Sequence, residues 1–339
     1  MTLVAPLDWG LGHATRCVPI INQLLASGEQ VLLAADGATL AFLRSEFPNL
    51  QWTRLKGYKM RYFWPLPLAI FLQLPLFGAS ILLEHRQLKR LVKQHDISRI
   101  ISDNRYGLWH RSIDSTIITH QLYIQLPRYL RFLQKPLHSF TARLLRRFSH
   151  IWVPDYAEVE KSLSGALSHG GALDAKVEYI GPQSRFKADC MAEPSLPVPN
   201  VLVVLSGPGR QKRSFAKRVL NHLRGTAKRI LVVGAEPNLK YQVTDGNTLI
   251  VNHLPTQELN SLLKLAPYVI ARSGYTTIMD LHRLGRCAIL FPTKGQWEQE
   301  YLAEWNSHKR SMKDLISLSL PPESLIRPKP MRFLPTLPM

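Results

Sequence analysis

A chain of 339 residues with 45% apolar and 20% charged side chains has material for two packed domains, which excludes a mainly disordered state. Its three cysteines, Cys17, Cys190 and Cys287, lie too far apart in sequence for a disulfide framework and read as free thiols of a reducing compartment. Forty-three Lys and Arg against 24 Asp and Glu leave +19, a field that favours nucleic acid, anionic lipid headgroups or phosphorylated substrates.

Residues 3–7 form an apolar run directly after Met1, with no charged region and cleavage site ahead of them, so a strand and no signal peptide are expected. The run opens into Asp8-Trp9-Gly10-Leu11-Gly12-His13, then a helical pattern carrying Val18, Ile20, Ile21, Leu24 and Leu25. Residues 30–35 predict a strand, 39–45 and 86–94 helices, and 99–102, 116–119 and 150–153 further strands. The Pro-rich stretch 193–199 reads as the linker, dividing the chain into domains 1–190 and 200–317 and leaving 318–339 as a Pro-rich irregular tail. The second half restarts alike: a strand over 200–205 enters Ser206-Gly207-Pro208-Gly209 and a basic helix over 212–223. Strands at 229–233, 248–251, 268–271 and 288–291 follow, with helical patterns between them. Continuous apolar strands alternating with helices predict α/β architecture, two tandem Rossmann-like domains with open parallel sheets.

Residues 63–83 hold 21 positions without a charge. That length could span a bilayer, but Pro65, Pro67, Pro75, Gln73 and Gly78 interrupt it, and a span would strand the first two strands across the membrane. An in-plane, membrane-facing hairpin or helix is expected instead, with Phe63, Trp64, Phe71 and Phe77 toward lipid. Arg54, Lys56, Lys59 and Arg61 before it, and Arg86, Lys89, Arg90 and Lys93 after it, would meet anionic headgroups.

Three stretches could carry chemistry. Gly10 and Gly12 let the backbone approach a ligand at a helix start, and His13 beside them suits a general base. Ser206-Gly207-Pro208-Gly209 repeats the arrangement with Arg210, Lys212 and Arg213 behind it, so backbone amides and a cation would hold a phosphate. The P-loop and G-x-G-x-x-G patterns are both missing, which argues against nucleotide hydrolases and dehydrogenases. In the third stretch a strand ends at Ala271, Ser273-Gly274 turn, and Thr276 and Thr277 open a helix toward a phosphate. Asp280, one turn on, is placed for a ribose, and the Gln299 amide offers both donor and acceptor to a sugar.

Arg272-Ser273-Gly274-x-x-Thr277-x-x-Asp280, followed by residues 291–299, resembles the donor-binding half of glycosyltransferase family 28, the MurG-like, UDP-sugar-dependent enzymes. The resemblance implies a GT-B fold, its two sheets facing across a cleft, with the nucleotide sugar held mainly by the C-terminal domain. By the same resemblance Gly207 stands at a donor-loop position, and His253 and Leu254 fall where uracil is packed and read. Arg272, Ser273 and Gly274 match donor-binding positions, and Tyr275, Thr276, Thr277 and Asp280 match the loop and helix start that hold phosphate and ribose, with Asp280 replacing the family's glutamate. Arg185 matches a donor-contacting arginine, Gln299 the sugar-reading glutamine, and His13 the histidine of the first glycine loop. Leu122 stands where the family has a donor-contacting asparagine.

The implied reaction is an inverting transfer in which His13 or Asp103 deprotonates the acceptor, although an Asp after a strand is often a helix cap. No Asp-x-Asp occurs, so no divalent ion is expected to be required. The expected partners are a nucleotide-sugar donor, a lipid-linked or membrane-held acceptor and an anionic membrane surface, rather than nucleic acid, with the protein on the inner face of the cytoplasmic membrane. Two alternatives keep part of this picture: a nucleotide-sugar hydrolase or epimerase of the same fold, and a non-catalytic basic membrane or nucleic-acid binder.

Overall fold

The computed structural model describes residues 1–57, 66–126, 128–170, 176–189, 192–207, 209–226, 228–237, 239 and 241–307. Phe63, Trp64, the tail 318–339 and the side chain of Phe71 lie outside the described part. The chain divides into two compact units, Met1–Gln183 and Ser184–Met339.

In the first unit β1 (Thr2–Pro6), β2 (Val31–Ala35) and β4 (Arg99–Asp103) are apolar because both faces of the sheet are covered. With β3 (Gln51–Arg54), β5 (Asp114–Ile118), β6 (His150–Val153) and β7 (Val177–Tyr179) they form a parallel sheet in the order β3-β2-β1-β4-β5-β6-β7. α1 (Leu11–Ala26) and α2 (Gly37–Glu46) cover one face, where Cys17, Val18, Ile21, Phe42 and Leu43 pack on Val4 and Ile101. α3 (Leu66–Gln94) covers the other, bringing Leu88 and Leu91 against Leu3, Ala5 and Ile100. α4 (Gln134–Leu145) and the short α5 (Ala166–His169) complete the unit. Leu122 is buried in a third cluster with Leu145 and Phe148, so an apolar residue there serves the core.

The second unit holds β8 (Val201–Val204), β9 (Ile230–Val233), β10 (Gln242–Asp245), β11 (Thr248–Val251), β12 (Tyr268–Arg272) and β13 (Ile289–Phe291), ordered β10-β11-β9-β8-β12-β13. Its helices are α6 (Gly209–Leu223), α7 (Thr256–Leu265), α8 (Tyr275–Arg283) and α9 (Trp297–Ser307). In both sheets the strand order reverses once, between β1 and β4 and between β8 and β12. Ligands of open α/β sheets bind beyond the carboxyl ends of the strands flanking such a reversal. Here those ends lead into residues 7–13 and 103–107 in one unit, and 205–209 and 273–277 in the other.

The structure corrects the sequence reading in four places. β3, β7 and β10 are unpredicted strands, and all three are sheet edges, where one side lacks a neighbour and no apolar run is demanded. β10 also departs from the parallel pattern: it pairs antiparallel with β11 through a two-residue turn, with Gly246 at φ 54°. The Pro-rich stretch is no free linker, and the division falls at Gln183/Ser184 rather than at 190–199. The chain after Ser184 is strapped to α7: the Lys187 N–H donates to Asn260 Oδ1 (3.2 Å), and the Ser195 and Leu196 N–H groups donate to Glu258 (both 2.9 Å).

Last, residues 66–83 of the expected in-plane segment and the helix at 86–94 are one helix, α3, of 29 residues. No helix among the described residues is long and apolar enough to cross a membrane. Phe77, expected to face lipid, packs its ring on Trp9 (6.5 Å between centroids) and Tyr106 (6.2 Å). Gly107 shows how closely α3 seats, since a Cβ there would stand 2.4 Å from the Ile81 carbonyl oxygen. Gly107→Ala is therefore expected to destabilise the protein by about 1–3 kcal/mol, the range for overpacking, measurable as a lowered urea midpoint with an unchanged m-value.

Candidate active site

In the first unit the chain leaves β1 and turns through Gly10, whose φ of 153° and ψ of 166° are reached readily by glycine alone. α1 then starts without a side-chain cap, leaving its first N–H groups unserved from within the helix. His13 lies in that first turn, its Nδ1 2.8 Å from Oδ1 of Asp103 at the end of β4. Arg16, one turn further, grips both Asp103 oxygens through Nε and Nη2, and Nη2 also lies 2.8 Å from His13 Nδ1. Arg16 and Asp103 are buried, whereas the His13 side chain keeps 19% of its surface exposed. Burial pushes the Asp103 pKa up, but the charges of Arg16 and His13 and their hydrogen bonds outweigh it and bring it to about 2.

This separates the two candidate bases. An acid of pKa about 2 is too weak a base to take a proton from an alcohol, and no helix follows Asp103 for it to cap. Nδ1 thus faces both an acceptor, Asp103 Oδ1, and a donor, Arg16 Nη2; with its proton on Nδ1 it donates to the carboxylate, the Arg16 N–H groups go to Asp103 alone, and Nε2 is the basic nitrogen. Cys17, 3.8 Å from Asp103 Oδ2, is not a nucleophile, because burial and then the Asp103 charge push its thiol pKa well up.

A second polar cluster lies behind this pair, and nothing local in the sequence signals it. Buried Arg105 donates to the Pro6 carbonyl (2.9 Å), the Leu55 carbonyl (3.2 Å), Glu84 Oε1 (3.1 Å) and Asp8 Oδ2. Burial raises the pKa of both carboxyls, against the lowering charge of Arg105.

In the second unit β12 leads through buried Ser273 to Gly274, which starts α8 with no side-chain cap and no acid in the first turn. The amides of Tyr275, Thr276 and Thr277 thus form the positive end of a helix, and a Cβ on Gly274 would meet open space. Asp280 accepts a hydrogen bond from Ser184 Oγ (2.6 Å). Burial raises its pKa to about 6, despite the charge of Arg185 and that hydrogen bond. Arg185 donates to Thr256 Oγ1 (3.1 Å) and lies over the Phe186 ring, 4.9 Å from its centre. Burial and then Arg185 lower the His253 pKa to about 4, so His253 is neutral at pH 7, next to buried Leu254. Arg185, His253, Thr256 and Asp280 thereby share one neighbourhood; Ser184 and Thr256 carried no sequence signal.

Other expected donor residues support this loop. Arg272 is buried, stacks over Phe215 in the core (4.1 Å) and donates to the Pro292 carbonyl (3.0 Å). Ser273 Oγ donates to the Gln299 carbonyl (2.8 Å). The Gln299 amide accepts from the Thr293 N–H (2.9 Å) and donates to Gln296 Oε1 (2.6 Å), bracing the loop before α9. At the other glycine loop Ser206 precedes Gly207, which has φ 90°, and Gly209 opens α6. Lys212, expected behind a phosphate, is buried against Glu236 at 2.8 Å, which leaves Arg213, near Gly209, as the described exposed cation there.

Residues 202–326 match the Glycosyltransferase family 28 C-terminal domain. An uncharacterized glycosyltransferase of Methanosarcina acetivorans is 23% identical, over 94% of this chain and 86% of the relative. The spinosyn rhamnosyltransferase SpnG, complexed with thymidine diphosphate, superposes with a TM-score of 0.57 at 15% identity, covering 89% of this chain and 83% of that one. Arabidopsis thaliana UGT89C1, complexed with UDP-L-rhamnose, gives 0.55 at 13% identity, over 91% and 82%. The architecture shared with such structures along most of the chain is the GT-B fold, and the second unit from residue 202 on matches the C-terminal domain of glycosyltransferase family 28.

Proposed function

We propose that the protein transfers a hexose or N-acetylhexosamine from a UDP-sugar to a lipid-linked or otherwise membrane-held acceptor, with inversion and without a required metal ion. The observation that carries this reading is His13 Nδ1 held at 2.8 Å by a carboxylate of pKa about 2. His13 Nε2 takes the proton of the acceptor hydroxyl as the oxygen bonds to the anomeric carbon and the sugar–diphosphate bond breaks on the opposite face. Asp103 holds the ring and balances the imidazolium that forms. The diphosphate leaves against the amide ends of α8 and α6 and the charge of Arg185, which supply the positive charge a metal ion would otherwise bring. Ser206, Gly207 and Gly209 line the approach to the diphosphate. Asp280 binds the ribose, and neutral His253 with Leu254 takes the base. The thymidine diphosphate and UDP-L-rhamnose named for the two solved relatives support a pyrimidine diphosphate donor.

The membrane clause rests on the outer stripe of α3. Leu76, Leu82 and Leu83 are exposed around the middle of the helix, and Arg86, Lys89, Arg90 and Lys93 continue that stripe. An apolar stretch followed by cations suits peripheral attachment to an anionic surface, the inner face of the cytoplasmic membrane.

A thermal-shift titration with UDP, UDP-glucose, UDP-N-acetylglucosamine and GDP-mannose, with and without magnesium, tests the donor site. Uridine ligands are expected to raise Tm without metal, and Asp280→Ala to remove the shift; no shift from any nucleotide would sink the reading. Since a carboxylate accepts a ribose hydrogen bond better than the neutral acid, UDP-sugar affinity should weaken as pH falls through about 6. Asp280→Asn should flatten that dependence, measured by calorimetry with the sugar ester, whose diphosphate has no proton to gain there.

A further inference from the structure

We propose that Arg105, with Asp8 and Glu84, is a positioning cluster that sets the His13–Asp103 geometry and ties it to the seating of α3. This rests on His13 acting as the base. Asp8 lies in the loop that delivers His13, Arg105 follows Asp103 by two residues, and Glu84 belongs to α3. One guanidinium thus joins the exits of β1, β3 and β4 to that helix. Asp8 Oδ1 also accepts the Asp36 N–H (3.1 Å), and Glu84 Oε2 the Gly107 N–H (3.3 Å), so both carboxylates are fixed from two sides.

The backbone between the two clusters explains how neighbouring residues serve both. Residues two apart on a strand point to the same face. Asp103 lies on the α1 face with Ile101, and residue 105 would follow it there. Asn104 instead takes φ 52°, a left-handed conformation that asparagine tolerates better than most side chains. The turn sends Arg105 to the α3 side, where it meets Glu84. A lysine, with three donors on one atom, cannot reach four acceptors set around a planar fork. Loosening the loops by 1 Å would part His13 from Asp103, a displacement that can cost about 100-fold in rate.

The test uses Glu84→Gln and Asp8→Asn, which keep shape and remove charge, with Arg105→Lys as the severe variant. NMR of the ¹⁵N-histidine-labelled protein, with the His13 signal assigned by its loss in His13→Ala, reads the Nδ1–H bond to Asp103. In folded Glu84→Gln and Asp8→Asn that resonance should broaden or move upfield. Transfer to the acceptor in a membrane extract should lose at least about tenfold in kcat, with donor KM unchanged. A merely structural cluster would lower Tm and leave the His13 resonance and kcat as in the wild type, which would overturn the proposal. Should Arg105→Lys fail to fold, the two isosteric variants decide. UDP-sugar binding measured on the same samples separates the readings: its absence in the wild type tells against the donor chemistry, while the histidine signal still reports on the cluster.

Discussion

His13→Ala is expected to lower the rate of sugar transfer by about 10²–10⁴-fold, the usual contribution of a positioned general base, while leaving UDP affinity unchanged. The separation follows from the fold: His13 belongs to the first unit, and Arg185, His253, Thr256 and Asp280 to the second. Asp103→Asn should lose activity on a comparable scale for a different reason. An amide can turn its NH₂ toward Nδ1, which stabilises the tautomer whose basic nitrogen faces away from the acceptor. Single-turnover transfer from radiolabelled UDP-sugar into the lipid fraction of a membrane extract gives both rates. Retention of most activity by His13→Ala would remove the base from the mechanism. Acceptor-free release of UDP at the wild-type rate would favour the hydrolase reading instead.

How much of this could be read from sequence depended on whether a constraint was local. The central strands β1, β2, β8 and β9 were legible because burial on both faces forces an unbroken apolar run. The edge strands β3 and β10 were not, since the polar Gln51–Arg54 and Gln242–Asp245 have a neighbour on one side only and need no apolar run. His13 announces itself through glycines beside it, but its partner lies 90 residues away, and Arg16 acquires meaning only when β4 is laid next to β1.

Two residues have a packing role that their periodicity also signals. Arg272 beside Ser-Gly looks like a phosphate ligand. Tyr268, Ile270 and Arg272 share one face of β12, however, and the first two pack in the core cluster with Phe215, on which Arg272 stacks. Phe77 vanished into an uncharged block. With helical spacing it continues the inner stripe Ile81, Glu84, Leu88, Leu91, while Leu76, Leu82 and Leu83 form the outer one.

Asp103→Ala should be among the most destabilising single changes in the first unit. It leaves the Arg16 guanidinium buried without its counter-charge, a situation that costs about 3–5 kcal/mol. The pH dependence has a defined sign. Asp103 titrates near 2 in the folded protein and near 3.8 in its ordinary state, so its contribution is complete above pH 3.8 and is lost as pH falls toward 2. The depressed pKa is equivalent to roughly 2 kcal/mol, and Asp103→Ala should lack that slope between pH 4 and 2. Arg16→Met combined with Asp103→Leu should recover most of the loss, because an apolar pair leaves no charge to desolvate. Urea unfolding at pH 7 and at pH 3 measures both variants against the wild type. A cost below 1 kcal/mol for Asp103→Ala at pH 7 would mean that water reaches Arg16, and that the charge holding His13 is weaker than its buried geometry implies.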